Sequence, residues 1–162
     1  MLTLQEIFDK GLSHIRMQGC ASIKNQACVY RNPQGHACVV GGLIKDEHYN
    51  PIFDMNGGIA AWKLKSSWTS TPHAGQDIQE LGAALMKSGV NAKDDGVVDL
   101  LTHMQRAHDN ASTFSGPFSQ KNFMQEFEQR MKQVALLHNL QYSEEFTVNP
   151  HPRNKNVNKA FA

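Results

Sequence analysis

The tetrapeptide Asn32-Pro33-Gln34-Gly35 constrains the fold of this chain more than any other feature. Proline presets one turn position and glycine tolerates positive φ, so the segment reverses the chain. The flanking runs, residues 26–31 and 36–44, read as the two strands of a β-hairpin. A four-residue loop sets Arg31 opposite His36 and Val29 opposite Cys38. Alternation then puts Val29, Arg31, His36, Cys38 and Val40 on one face, and Cys28, Tyr30, Ala37 and Val39 on the other. A slip of one residue would change every cross-strand pair. An isolated hairpin is marginal in water, so helices must cover one of its faces.

Those helices are legible. Thr3-Leu4-Gln5-Glu6 is a capping box, with a hydroxyl at the N-cap and a carboxylate three residues on. Leu4, Ile7, Phe8, Leu12 and Ile15 form one stripe, and Gly19 supplies a C-terminal stop, which predicts a helix over 4–18. A second helix is expected over 76–88, with Ile78, Leu81, Leu85 and Met86 apolar and Ser88-Gly89 ending it. A third starts near Asp94-Asp95, where acids suit the helix dipole, and carries Val97, Leu100, Leu101, Met104 and Ala107 inward. Beyond the Gly116-Pro117 break, a fourth is expected over 119–139, capped by Ser119, with Phe123, Phe127, Met131, Val134 and Leu137 inward. A helical turn near Asp46 closes at Pro51, Ile59–Trp62 reads as a short helix, and Ser66–Pro72 reads as a loop. The expected class is α+β: a small antiparallel sheet built on a β-hairpin and packed by about four main helices.

At 162 residues the chain fits one domain, over 1–146, followed by a disordered, weakly basic tail over 147–162. Residues 1–146 hold 13 basic and 15 acidic groups, so no duplex-DNA footprint is expected. No apolar run approaches the roughly 20 residues needed to span a bilayer, and Leu2–Met17 lacks the form of a signal peptide. Three cysteines, Cys20, Cys28 and Cys38, argue against a disulfide framework and for a reducing cytosol.

The polar residues around the hairpin suggest a site. Arg31 offers a fork for phosphate or carboxylate and Tyr30 a stacking surface, or the two are an ordinary strand pair with Arg31 solvated; Gly41-Gly42 either permits an unusual backbone angle or lets another group approach the backbone closely. His36 and Tyr49 flank them. On the third long helix, Gln105, His108 and Asp109 share one patch, being three and four residues apart. The bland reading makes His108 a core-edge histidine continuing the Val97–Leu101–Met104 stripe, and Trp62 and Trp68 core anchors. Asp46 and Glu47 diverge on a helical turn, so Asp46 reads as an N-cap rather than half of a carboxylate pair. Cys20, Cys28, His36 and Cys38 lack the paired spacing of zinc frameworks, and no phosphate-loop, dinucleotide, zinc-protease or serine-elbow motif occurs. No metal, cofactor or catalytic set is therefore expected.

The run Cys28-Val29-Tyr30-Arg31, Gly35, Cys38–Ile44, Asp46-Glu47 and Tyr49, with the later Met104-Gln105-Arg106-Ala107-His108-Asp109, resembles a group of small, uncharacterised proteins of tailed bacteriophages. The likeness covers residues 1–50 and about 97–140. It departs at Gly42, where that group carries a cysteine, which weakens a redox or metal role. The resemblance implies a phage accessory factor in the host cytosol. One such strategy is sequestration of a nucleotide-derived host defence signal.

Two function classes follow. The leading one is a non-enzymatic binder of a small anionic, nucleotide-like ligand or a host protein, using Tyr30, Arg31, His36, Gly41, Gly42, Tyr49, Gln105, His108 and Asp109. The alternative is a small phosphodiester hydrolase with His108 as acid or base, Asp109 orienting it and Arg31 stabilising charge. A virion or assembly component is a third class. A homo-oligomer is compatible with any of these. The leading reading requires the hairpin and the Gln105–Asp109 patch to meet at one recess.

Overall fold

The computed structural model describes residues 1–55, 76–115 and 120–144. Among these, five α-helices accompany one two-stranded antiparallel sheet, an α+β fold. The expected short helix at 59–62, the loop at 66–72, both tryptophans, the Gly116-Pro117 break, the Ser119 cap and the 147–162 tail lie outside the described residues.

Helix α1 spans Leu4–Gln18 as its local sequence dictates. Thr3 Oγ1 accepts from the Glu6 N–H at 3.2 Å, and the Glu6 carboxylate accepts from the Thr3 N–H at 2.7 Å. Gly19 closes the helix in the left-handed region at φ 74°. Ile7, Phe8, Leu12 and Ile15 are buried. Helix α3 (Gln76–Lys87) ends before Gly89, which adopts φ 88°. Helix α4 (Asp95–Ser115) begins where the Asp94 carboxylate accepts from the Val97 N–H at 3.1 Å. Helix α5 (Gln120–Leu137) packs chiefly on α4, burying Phe123, Phe127, Met131 and Val134. Leu137, expected inward, is 66% exposed because α5 ends there. No helix among the described residues is long and apolar enough to cross a membrane.

The hairpin differs from its expected form. The regular strands are β1 (Ile23–Lys24) and β2 (Ala27–Cys28), joined across Asn25 and Gln26, both at positive φ. The Asn32–Gly35 turn does reverse the chain, but only the single bridge Arg31–Ala37 follows it. Arg31 therefore faces Ala37 and not His36, which belongs to the loop. The Asn32 carboxamide oxygen sets that length, accepting from the N–H groups of Gln34 at 3.1 Å and His36 at 2.9 Å. The pairing ends with the Cys38 N–H, which donates to the Tyr30 carbonyl at 3.0 Å, while the N–H and carbonyl of Ala37 face outward to a side chain. Gln18 donates to the Ala37 carbonyl at 3.0 Å and accepts from its N–H at 2.8 Å.

The expected strand at 36–44 is instead occupied mainly by helix α2, Val39–Leu43. Two β-branched valines and two glycines are poor helix formers. A local cap and contacts from distant segments together override that preference by satisfying both ends. Cys38 Sγ accepts from the Gly41 N–H at 3.3 Å, and Gln105 Oε1 accepts from the Val40 N–H at 3.3 Å. At the other end, Arg31 donates to the carbonyls of Gly41 and Ile44. These are the orphan groups that any helix end leaves behind. All five residues of α2 are buried, against α1 and α4. Two 3-10 turns follow, Asp46–His48 and Pro51–Met55. Lys45 precedes the first without a side-chain cap, so Asp46 is not the N-cap; its carboxylate instead pairs with Arg31.

Candidate functional site

Helix α2 and the hairpin bring two distant segments together. A recess of about 130 Å³ opens between them, lined by Cys28, Val29 and Tyr30 from β2 and its extension, Phe53 and Asp54 from the second 3-10 turn, and Gln105 and Asp109 from α4. The expected meeting of the hairpin with the Gln105–Asp109 patch thus takes place, but with a changed cast.

Gln105 and Asp109 lie one helical turn apart, and Gln105 Nε2 donates to Asp109 Oδ1 at 2.7 Å. The other end of the Gln105 amide holds Val40, so its orientation is fixed. His108 is fully buried and packs edge-on against Phe123, with ring centroids 5.6 Å apart. Its Nε2 accepts from the Ser22 N–H at 3.2 Å. An acceptor nitrogen has no proton, so the single ring proton sits on Nδ1 and is donated to Asp109 Oδ1 at 2.9 Å. Both imidazole nitrogens are engaged, and His108 does not line the recess. Asp109 has its side chain 41% exposed and reaches the opening.

Cys28 stands beside this carboxylate. Burial, and then the negative charge of Asp109, pushes its thiol up to about 11. That thiol is no ready nucleophile. Nor does His108 present a lone pair to it, so the cluster lacks the base–nucleophile relation of a cysteine hydrolase. Cys28, His108 and Asp109 nonetheless place one ligand atom each within 4.8 Å of one another. Cys38 is fully buried and caps α2, as a hydrophobic cysteine.

Asp54, also in the lining, accepts from the Tyr30 N–H and, at 2.7 Å, from the Tyr49 hydroxyl. Tyr30 is 6% exposed, and burial raises its hydroxyl well above the usual range. Burial and then the Asp54 hydrogen bond raise Tyr49 in the same way. Phe53 meets the Tyr49 ring edge-on at 5.7 Å.

Arg31 points elsewhere. Its Nε and Nη2 donate to the Gly41 carbonyl at 3.2 and 3.1 Å, Nη2 also donates to Ile44, and Nη1 reaches Asp46 at 2.9 Å. The guanidinium also stacks on Tyr49. Burial pulls its pKa down, while Asp46 opposes that shift. Arg31, Tyr49 and Asp46 therefore form a clasp on α2 and do not line the recess. Gly41 lies against Tyr30, where an added Cβ would stand 2.0 Å from the carbonyl oxygen. Gly42 lies against the His14 ring. His36 sits in the turn, its carbonyl accepting from Ser22 Oγ at 3.0 Å.

Of the nine residues expected at a site, Tyr30, Gln105 and Asp109 line the recess. His108, Gly41 and Tyr49 stand behind its lining; Arg31, Gly42 and His36 do not line it. Sequence reasoning missed Cys28, Val29, Phe53 and Asp54. Asp54 had a faint signal, a lone acid between apolar residues, but its segment has no helical or strand periodicity. No protein-family model, curated protein or solved structure matches this chain.

Proposed function

We propose that this protein is a non-enzymatic binding module whose recess receives the N–H-bearing edge of a small ring, of the kind that the base of a nucleotide presents. The carrying observation is the character of the lining: two carboxylates, Asp54 and Asp109, flank apolar Val29 and Phe53, with no cation among the described lining residues. Acceptors of this type pair with N–H donors rather than with phosphate. A cavity of about 150 Å³ accommodates benzene, so the volume here suits one small ring and not a whole nucleotide. The phosphates of such a ligand would remain outside.

The likeness to tailed-phage proteins supplies a setting, in which the chain withholds a nucleotide-derived signal in the host cytosol. Anion pairing by Arg31 has less support, because its donors already satisfy α2 and Asp46. Hydrolysis by His108 and Asp109 also has less support, because neither imidazole nitrogen faces the recess free.

Calorimetry of the full chain against guanosine, adenosine, cytidine, the matching nucleotides and inorganic phosphate tests this. Binding of a nucleoside, weakened about tenfold or more in Asp109→Asn, is expected. Heat from phosphate alone with silent nucleosides would reinstate the anion reading. No heat from any of them would favour a protein partner.

A further inference from the structure

The inner corner of the recess has a chemistry that the ring reading does not use. Thiol, imidazole and carboxylate come together there from β2 and from α4. We propose that Cys28, His108 and Asp109 form a three-ligand site for a thiophilic divalent cation, Zn²⁺ being the natural occupant. It has no signature in the sequence because its ligands come from separate elements, without the short paired spacing of zinc frameworks.

Three observations carry it. Distance is the first. Around a tetrahedral Zn²⁺ with bonds of about 2.0–2.3 Å, ligand atoms stand about 3.4–3.6 Å apart. The three atoms here already lie within 4.8 Å, and the His108–Asp109 contact at 2.9 Å needs to open by only about half an ångström to match that spacing. Charge is the second. A thiolate and a carboxylate neutralise a dication, so the filled, half-buried corner carries no net charge. The proton displaced from Cys28 leaves to solvent. The third is outer support: Gln105 braces Asp109 and is itself fixed by Val40. Thiolate and imidazole select Zn²⁺ over Mg²⁺ or Ca²⁺.

Binding has an identifiable cost. His108 coordinates through Nδ1 only if its proton moves to Nε2, which breaks the bond from the Ser22 N–H. Two hydrogen bonds, that one and the bond from His108 Nδ1 to Asp109, are exchanged for three metal–ligand bonds. Because Cys28 and Asp109 also line the recess, an ion between them is open to solvent on that side, as in sites that keep a fourth position free. The site is independent of the ring reading but shares Asp109 with it, so Zn²⁺ and a nucleoside should compete.

The full chain, reduced and stripped with chelator, is titrated with Co²⁺ and then Zn²⁺ while its absorbance is followed. A thiolate-to-cobalt band in the near ultraviolet and tetrahedral visible bands are expected, and Zn²⁺ should erase both. Cys28→Ser should abolish the near-ultraviolet band, and Asp109→Asn should weaken binding about tenfold or more. Cys20→Ser and His103→Ala should leave the titration unchanged; the latter removes one member of the His103–His138 pair, two imidazoles in hydrogen-bond contact elsewhere among the described residues. Absence of the band, its survival in Cys28→Ser, or its loss in Cys20→Ser overturns the site. Nucleoside binding without metal binding would sink this inference alone, and metal binding without nucleoside binding would sink the ring reading alone.

Discussion

The guanidinium carbon of Arg31 lies 4.1 Å from the centre of the Tyr49 ring, and the same group donates to the carbonyls of Gly41 and Ile44. Stacking holds the plane while the fork ties down the C-terminal end of α2. Arginine suits both tasks because it is flat and carries its donors in fixed directions. An ammonium in its place reaches at most part of this set.

Arg31→Lys should therefore destabilise the fold by about 1–3 kcal/mol, since it removes hydrogen bonds to buried carbonyls and loses the stack. Urea denaturation followed by circular dichroism measures this. A midpoint equal to that of the native chain would show that the clasp contributes nothing.

The two neighbouring glycines should respond differently. A Cβ at Gly41 would meet the Tyr30 backbone at 2.0 Å, and backbone cannot step aside. Gly41→Ala should cost about 3 kcal/mol or more. A Cβ at Gly42 would meet the His14 ring at 2.4 Å, and a side chain can be removed. Gly42→Ala should cost about 1–3 kcal/mol, with part recovered in the double variant with His14→Ala. The Ala37 carbonyl keeps Gln18 as a donor in that variant. Strict additivity of the two single changes would show that the residues do not touch.

Stability should fall as acid reaches two histidines. Burial pulls His36 below its ordinary 6.5, and burial with the neighbouring His103 does the same to His138, against Asp99. A depressed value means that the unfolded chain takes up protons first, so ν_U exceeds ν_N and stability rises with pH in this window. The loss begins near 6.5, the unfolded value, and is complete below the depressed folded values. Urea midpoints between about pH 7.5 and 5.5 should decline, and less steeply in the double variant His36→Gln, His138→Gln. An unchanged slope in that variant would assign the decline to other groups.

Cys28 should alkylate slowly. With a thiol at about 11, roughly a thousandth is thiolate at pH 8. Removing the adjacent negative charge in Asp109→Asn should speed iodoacetamide labelling of Cys28 several-fold, read by peptide mass spectrometry. A catalytic arrangement predicts the reverse, with fast labelling in the native chain and slow labelling in the variant.

Helix α1 was readable because its determinants are local. Thr3, Glu6 and Gly19 act within a turn of the residues they fix, and a 3.6-residue stripe needs no partner to be recognised. The same holds for α3 and α4 and for most of α5. The α+β class followed from those helices and one Pro-Gly turn. Residues 36–44 were not readable in this way. Their valines favour a strand, and the Cys38 cap together with Gln18, Arg31 and Gln105, which arrive from elsewhere in the chain, holds Val39–Leu43 as a buried helix. The site obeys the same division. The spacing of Gln105, His108 and Asp109 on one helix face is a property of the sequence. That a backbone N–H from Ser22 fixes the His108 proton, that Arg31 turns to α2, and that Cys28 joins Asp109 at a recess all depend on tertiary contacts. Local hydrogen-bond geometry is encoded within a few residues, whereas the partner of a buried polar group is decided by which segments the collapsed core brings together.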